Sequence, residues 1–248
     1  MAPLRRARRQ PGDGPAKLFG RGHGPLGHRG PGPLKEACIM SVSIIGAGNV
    51  GMALARAFTR AGESVVLGVP QPAKVAEAVA ALGERARVGS VDEAIDASDL
   101  VILAVPHAAT AAIAQSRPDW QGRVLVDATN PLAPGLAGLT VGTSTSAAEE
   151  LARLASGARV VKAFNTTGAE NMADARYPQG APFMPVCGDD AEARRRVLTL
   201  ATLIGFDAVD AGPLSAARYL EPWAMVWIHL AFRQGLGRQF AFGLMRRG

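Results

Sequence analysis

The sequence predicts an α/β fold, namely a Rossmann-type doubly wound parallel sheet with a small C-terminal lobe. Three observations lead to this prediction. Short apolar segments of strand length alternate with segments of helical periodicity from residue 42 to residue 232. The first apolar segment runs into a glycine-rich turn and then a helix. The segment 99–106 is a nearly continuous apolar strand, as in parallel sheets that helices cover on both faces.

The glycine turn at residues 46–51 (GAGNVG) has the spacing of a dinucleotide-binding fingerprint and lies between a predicted strand (42–45) and a predicted helix (49–61). Gly46 permits the tight turn, Gly48 lets the backbone approach a pyrophosphate, and Gly51 allows helix and strand to pack closely. The start of the helix offers unpaired backbone N–H groups to phosphates. A turn without a ligand is the alternative. The predicted cofactor-binding residues are Gly46, Ala47, Gly48, Asn49, Val50 and Gly51.

The end of the second predicted strand (65–67) bears on the choice between NAD and NADP. An acidic residue there would hold the ribose hydroxyl of NAD, but residues 68–74 contain no carboxylate. The nearby cation is Lys74, at the start of a predicted helix (73–82). The sequence therefore disfavours NAD and leaves Lys74 as a candidate for the 2′-phosphate of NADP, unless it is only a solvated surface lysine.

The next elements place a histidine at the carboxyl edge of the sheet. A short strand is predicted around residues 87–88, followed by a helix that Ser90 and Glu93 open as a capping box. Pro106 ends the strand that follows, at the edge where doubly wound folds bind ligands. His107 comes next, within reach of a nicotinamide or a substrate. The alternative is a residue at a helix start with no part in chemistry.

The second half continues the alternation. Ser146 or Thr145 is expected to cap one helix, and Asp189 or Asp190 another. The predicted strands are 123–127, 158–163, 183–187 and 206–210, and the predicted helices are 146–155, 190–203 and 214–232, with a loop at 131–145.

Lys162 lies inside an apolar strand, where a charged group needs a partner or a route to solvent. It is a candidate substrate-binding residue, as is Asn165 just beyond the same strand. A structural tie from Lys162 to a carbonyl or carboxylate is equally open. His229 falls on the broad apolar face of the last helix, and we predict a buried, hydrogen-bonded histidine. Most of that face should be core or subunit interface, and we expect a homodimer.

The net charge of +6 comes entirely from residues 1–39, which hold eight basic and two acidic residues. The remainder is balanced, which argues against a nucleic-acid partner for the globular part. We predict a disordered leader at 1–39, or else a basic binding arm, followed by a dinucleotide-binding domain at 40–248 with a helical lobe from about 211. Cys38 and Cys187 form no metal-ligand or disulfide pattern, and no apolar run is long enough to span a membrane. A reducing cytoplasm fits this composition.

Six motifs occur in an order that resembles the NADPH-dependent reductases of coenzyme F420, and also the cytosolic domain of STEAP-type metalloreductases. They are the glycine turn, residues 104–106 (AVP), 127–131 (DATNP), 162–166 (KAFNT), 186–190 (VCGDD) and 210–215 (DAGPLS). The resemblance covers about residues 42–245. It implies hydride transfer between two bound cofactors, NADP(H) and F420 or a flavin (FMN or FAD), with no indispensable acid or base and no metal.

The resemblance also implies site residues. Beside the glycine turn, those that would line the NADP site are Val69, Pro70, Lys74, Val105, Pro106, His107, Asn130, Ala163 and Leu214. One departure matters, because the family usually has an arginine where this chain has Pro70. The 2′-phosphate would then meet only Lys74 and the backbone donors at residue 69.

Two other functions remain open at this stage. A reductase of a small imine or carbonyl, similar to pyrroline-carboxylate reductases, would need a proton donor near the nicotinamide, for which His107 and Lys162 are candidates. A non-catalytic NADP-sensing module is the other alternative, supported by the missing arginine and the basic leader.

Overall fold

The computed structural model describes residues 41–247, and these residues build one eight-stranded sheet in the order β3-β2-β1-β4-β5-β6-β7-β8. All neighbouring strands are parallel except β6 and β7, which are antiparallel. The predicted doubly wound α/β fold is therefore confirmed, with one antiparallel junction. The strands are β1 (Ser41–Ile45), β2 (Ser64–Gly68), β3 (Ala86–Gly89), β4 (Leu100–Leu103), β5 (Val124–Asp127), β6 (Arg159–Lys162), β7 (Phe183–Gly188) and β8 (Asp207–Asp210).

Eight α-helices pack around this sheet in the described part of the chain. They are α1 (Asn49–Arg60), α2 (Ala76–Ala80), α3 (Val91–Asp96), α4 (Thr110–Gln115), α5 (Ala147–Leu154), α6 (Ala169–Ala173), α7 (Ala191–Leu203) and α8 (Ala217–Ile228). Alternate residues of the central strands enter two separate hydrophobic clusters. Ile44 and Ile102 belong to one cluster, and Ile45 and Leu103 to the other. Both faces of the sheet are thus covered, which explains the apolar strands.

Local signals predicted the helix starts well. Ser90 and Glu93 form the expected capping box of α3. Ser146, not Thr145, caps α5, and Asp190, not Asp189, caps α7. Each cap satisfies a backbone N–H that the helix itself leaves unpaired.

Three predicted elements differ from the structure, and one short helix was not predicted. The helix expected at 73–82 is a 3-10 turn (Pro72–Lys74) and then α2, because the Val75 N–H donates to the Pro72 carbonyl, three residues back. The apolar strand 99–106 pairs only over Leu100–Leu103. The five-residue helix α6 went unpredicted because it is too short to show a period. The last helix begins with a 3-10 turn (Leu214–Ala216) and ends in a π-turn (His229–Arg233).

The prediction of a buried His229 is wrong. Its side chain is exposed, and its ring contacts the Gln234 amide at 3.1 Å. The π-turn widens the helix at this residue, so the helical period of α8 no longer indicates which face is buried. Tyr219, Trp223 and Val226 are also exposed on α8. They form the surface on which the predicted homodimer would depend, and that dimer stays a prediction.

The segment beyond residue 211 holds α8 and a tail that returns to the sheet. The Phe183 N–H at the start of β7 donates to the Phe242 carbonyl at 2.8 Å. The boundary of a lobe near 211 stays a prediction. The predicted leader, 1–39, and Cys38 lie outside the described residues.

A buried ion cluster ties β5, β6, α5 and α8 together. The Lys162 ammonium, with no exposed surface, donates to Asp127 Oδ2 at 2.9 Å and to the Thr129 carbonyl at 2.7 Å, and lies 2.9 Å from Glu221 Oε1. Glu221 also accepts the backbone N–H groups of Ala147 and Ala148, at the start of α5. Burial alone would lower the pKa of Lys162, but the charges of Asp127 and Glu221 raise it above its usual value.

We expect Lys162→Met to destabilise the protein strongly, because it leaves two carboxylates buried without their cation. Breaking a buried pair in this way costs about 3–5 kcal/mol. Because the folded-state pKa of Lys162 is raised, its contribution should persist at neutral pH and fade only as pH rises through that pKa. Urea denaturation followed by circular dichroism measures both effects.

The matched control is Arg246→Met, which removes the exposed pair between Arg246 and Asp207. This variant should unfold at nearly the same urea concentration as wild type. Equal destabilisation by the two variants would show that the buried cluster contributes no more to stability than the exposed pair.

Candidate functional site

The carboxyl ends of β1 and β4 lie side by side, and the glycine turn fills the space between them. Gly46 has a φ of 107°, and a Cβ there would overlap the Ala104 carbonyl oxygen. A Cβ on Gly51 would overlap the Gly46 carbonyl oxygen. These two glycines are therefore required sterically, one by the turn and one by the packing of α1 on β1.

Gly48 differs, because a Cβ there would meet nothing within 4 Å. It is the N-cap of α1 with an ordinary φ of −77°, and no side chain caps the helix. The first turn of α1 carries no acidic residue either. The free N–H groups and the positive end of the helix dipole thus face open space, an arrangement that favours an anionic oxygen.

Three unpartnered polar atoms follow three neighbouring strands. His107 Nδ1 lies after β4, Thr129 Oγ1 after β5 and Asn165 Oδ1 after β6. Each atom is buried and lacks a hydrogen-bond partner within the described residues. Buried polar groups in native proteins are nearly always paired, so a row of exceptions at the carboxyl edge favours a missing ligand.

Asn165 is held by its neighbours and is 4% exposed. Its Nδ2 donates to Asn130 Oδ1 at 3.0 Å and to the Leu220 carbonyl at 3.1 Å. The Asn130 amide donates in return to the Asn165 carbonyl at 2.8 Å. Phe164 precedes it with a left-handed φ of 60°. The network fixes which end of the Asn165 amide is nitrogen and leaves Oδ1 as the free acceptor.

A cavity of about 210 Å³ joins the start of α1 to the ends of β5 and β6. The predicted residues Asn49, Val50, Asn130 and Asn165 all line it. Its remaining walls were not predicted as site residues; they are residues 166–169, Ala224, Trp227, Ile228 and Arg238. Trp227 lies in the last predicted helix (214–232), whose apolar face was predicted to be mostly core or subunit interface, and Arg238 lies in a tail without any periodicity.

The remaining predicted residues are divided between this edge and the core. Ala47, Val105 and His107 are partly buried beside the glycine turn, and Pro106 is exposed. Ala163 and Leu214 are buried and belong to different hydrophobic clusters. Lys162 is the structural tie that the sequence left open, since its three protons face three oxygen atoms.

The end of β2 corrects one expectation. The Val69 N–H donates to the Gly89 carbonyl at 3.1 Å, so it cannot also serve a phosphate. Pro70 is exposed, and so is Lys74, whose side chain has no ion pair within residues 41–247. Lys74 is thus a cation without a described ion pair just beyond the end of this strand.

Away from this edge the described chain holds one further unpartnered buried atom, Arg117 Nε, beside Asp92 and Asp96. A larger groove of about 840 Å³ lies along residues 177–182 and 239–245, but none of the unpartnered buried atoms belongs to it. Burial raises the pKa of Cys187 to about 12, so its thiol stays protonated. Within residues 41–247 no group of three metal-ligating side chains is found, and no helix there has the length and apolar character to cross a bilayer.

The chain is similar to known oxidoreductases. Residues 41–131 match the family model described as NADP oxidoreductase, coenzyme F420-dependent. The F420-dependent NADP reductase of Methanothermobacter thermautotrophicus is 30% identical, over 80% of this chain and 92% of that protein. A putative F420-dependent NADP reductase from Arthrobacter has a TM-score of 0.73 and 29% identity, covering 84% of this chain and 100% of that one.

Metalloreductase STEAP3 of Rattus norvegicus is 31% identical over 73% of this chain. The match spans only 35% of that protein, so this chain corresponds to about a third of it. The methanogen reductase, by contrast, is matched over nearly its whole length. Together with the glycine turn and the eight-stranded sheet, this shows that the chain is an NADP-dependent oxidoreductase of the F420-dependent NADP oxidoreductase family.

Proposed function

We propose that this protein transfers a hydride between NADP(H) and a deazaflavin such as F420, or a flavin. The observation that carries the proposal is the uncapped start of α1 beside the unpartnered polar atoms of His107, Thr129 and Asn165. The first feature suits a pyrophosphate and the second suits the polar edges of a ring. The names of the relatives support the same pair of cofactors.

The residues present fit NADP. Residues 46–51 would hold the pyrophosphate, and Lys74 would contact the 2′-phosphate. His107, Asn130 and Asn165 lie where the nicotinamide end would reach, near the carboxyl ends of β4–β6. When bound, NADPH supplies the hydride, so the protein has to orient the two ring systems and exclude water between them.

Hydride transfer between two cofactors needs no acid or base from the protein. Lys162 has committed its three protons, and the Cys187 thiol is protonated and buried. An imine reductase would require a proton donor, and of the two candidates only His107 would remain. These contacts favour hydride transfer between cofactors over reduction of an imine.

The experiment is a steady-state measurement of NADPH oxidation with F420, FMN, FAD, a cyclic imine or no acceptor. The proposal expects turnover with a deazaflavin or flavin and none with the imine. Turnover with the imine alone would replace the proposal by the imine reductase. Tight NADPH binding without turnover of any acceptor would favour a sensing module.

Replacing Gly48 by Val should weaken NADPH binding by at least about tenfold, which corresponds to about 1.4 kcal/mol. The new side chain meets no protein atom, so the fold should be retained, but it occupies the space where backbone would meet pyrophosphate. Fluorescence titration with NADPH measures the loss, and circular dichroism checks the fold.

Gly243→Val is the matched control, because Gly243 is exposed and its Cβ would also meet nothing within 4 Å. This variant should bind NADPH like wild type. Unchanged affinity in a folded Gly48→Val protein would reject the pyrophosphate site.

Replacing Lys74 by Ala should weaken NADPH about ten- to hundredfold and leave NADH nearly unchanged. A hydrogen bond to a charged group contributes about 1.5–3 kcal/mol, and the backbone N–H of Val69 cannot compensate. Pro70→Arg should act in the opposite direction by adding a second cation. Dissociation constants for both nucleotides decide the matter.

The control here is Arg85→Ala, which removes an exposed cation just before β3. Because β3 runs parallel to β2, Arg85 lies at the amino-terminal ends of the strands, whereas Lys74 follows the carboxyl end of β2. Arg85→Ala should change neither affinity. Equal weakening of NADPH and NADH by Lys74→Ala would exclude Lys74 from the 2′-phosphate site.

A further inference from the structure

Arg238 lines the 210 Å³ cavity, as do Asn49 and Val50 at the start of α1. We propose that its guanidinium recognises an anionic group, a phosphate or carboxylate, on the molecule that exchanges hydride with NADP(H). This inference rests on the proposed function and adds a specificity residue to it. It concerns the acceptor, whereas Lys74 concerns the nucleotide.

The hydrogen bonding of Arg238 is incomplete. Its Nη2 lies 3.0 Å from Glu170 Oε1, but its buried Nε has no partner within the described residues. The second oxygen, Glu170 Oε2, is buried and unpartnered as well. A guanidinium presents its N–H groups as a planar fork that matches phosphate and carboxylate oxygens. The Nε–H of Arg238 is therefore without a partner, on a side chain that lines the cavity.

The tail holds Arg238 at this position before any ligand arrives. Gly235 and Gly237 have φ angles of 69° and 75°, which reverse the chain after the π-turn. Two residues beyond Arg238, the Phe240 carbonyl accepts the Trp227 Nε1–H at 3.0 Å and the Asn171 amide at 2.7 Å. The Phe240 ring also stacks on Trp227, with centroids 5.4 Å apart. The backbone around Arg238 is thus ordered before a ligand binds, which lowers the entropy cost of binding.

An anion can reach Arg238 at the mouth of the cavity. Glu170 is the acidic side chain paired with Arg238, and both are only partly buried, at 33% and 39% exposure. An incoming phosphate can therefore reach the guanidinium from solvent and share it with Glu170 or displace that carboxylate.

The size of the cavity argues for a ligand that extends past Arg238. At about 210 Å³ it is below the roughly 300–1,000 Å³ usual for sites that enclose drug-sized ligands. A three-ring deazaflavin or flavin has to leave part of its structure outside. A charged substituent outside the cavity would be within reach of the partly exposed Arg238.

The test compares FMN with riboflavin, which have the same ring system and differ by one phosphate. Binding is followed by quenching of flavin fluorescence with NADP⁺ present, so that no hydride is transferred. Wild type should bind FMN about tenfold more tightly than riboflavin. Arg238→Met should abolish most of this difference by weakening FMN alone, and Arg238→Lys should retain part of it.

Arg246→Met is the control, because Arg246 lies on the same tail and pairs with Asp207 outside the cavity. It should leave both affinities unchanged. If the flavins are turned over, Arg238→Met should raise the KM for FMN without changing kcat.

Three results would overturn the inference: equal binding of FMN and riboflavin to wild type, equal weakening of both in Arg238→Met, or weakening of NADPH in place of FMN. The last would assign the guanidinium to the pyrophosphate. If FMN binds through Arg238 but is not reduced, the inference stands and the proposed function fails.

Discussion

The whole carboxyl edge of the sheet depends on the contacts of the buried Lys162 ammonium. The cluster contains one cation and two anions, and a surplus negative charge in the core would be costly. The backbone N–H groups of Ala147 and Ala148, at the positive end of α5, donate to the Glu221 carboxylate and stabilise its negative charge. The strand ends, α5 and α8 are therefore joined electrostatically as well as by packing, and none of them can shift alone.

This rigidity explains how the fold tolerates incomplete hydrogen bonding next to the cluster. The three unpartnered atoms of His107, Thr129 and Asn165 each cost about 1–3 kcal/mol if buried and dry. In a more flexible site, local movement would let these atoms find hydrogen-bond partners. Here the Lys162 bond to the Thr129 carbonyl and the pair of asparagines at 130 and 165 hold the loops in place. A ligand that pairs with these atoms recovers the cost on binding, which is the energetic logic of a preorganised site.

The sequence predicted those features that are local in the chain. The glycine turn, the Ser90–Glu93 cap and the apolar strands each depend on residues within a few positions of one another. The partners of Lys162 were beyond reach because Asp127 and Glu221 come from other elements. The backbone donor predicted at Val69 was wrong for a similar reason. Its N–H donates to Gly89 of β3, and only the strand register reveals this. The predicted burial of His229 was wrong because apolar periodicity does not indicate a π-turn.

Three positively charged features are spread across the sheet in the order of its strands. Their spacing connects the proposed cofactor site with the proposed role of Arg238. Lys74 follows β2, the start of α1 follows β1, and Arg238 lies beside the cavity beyond β6. In the order β2-β1-β4-β5-β6, four steps of about 4.8 Å separate the outer strands, roughly 19 Å in all. A single compact anion cannot meet all three. An extended dinucleotide with a charged acceptor beyond its far end can, and only the Arg238 contact would then distinguish acceptors that share a ring but differ in charge.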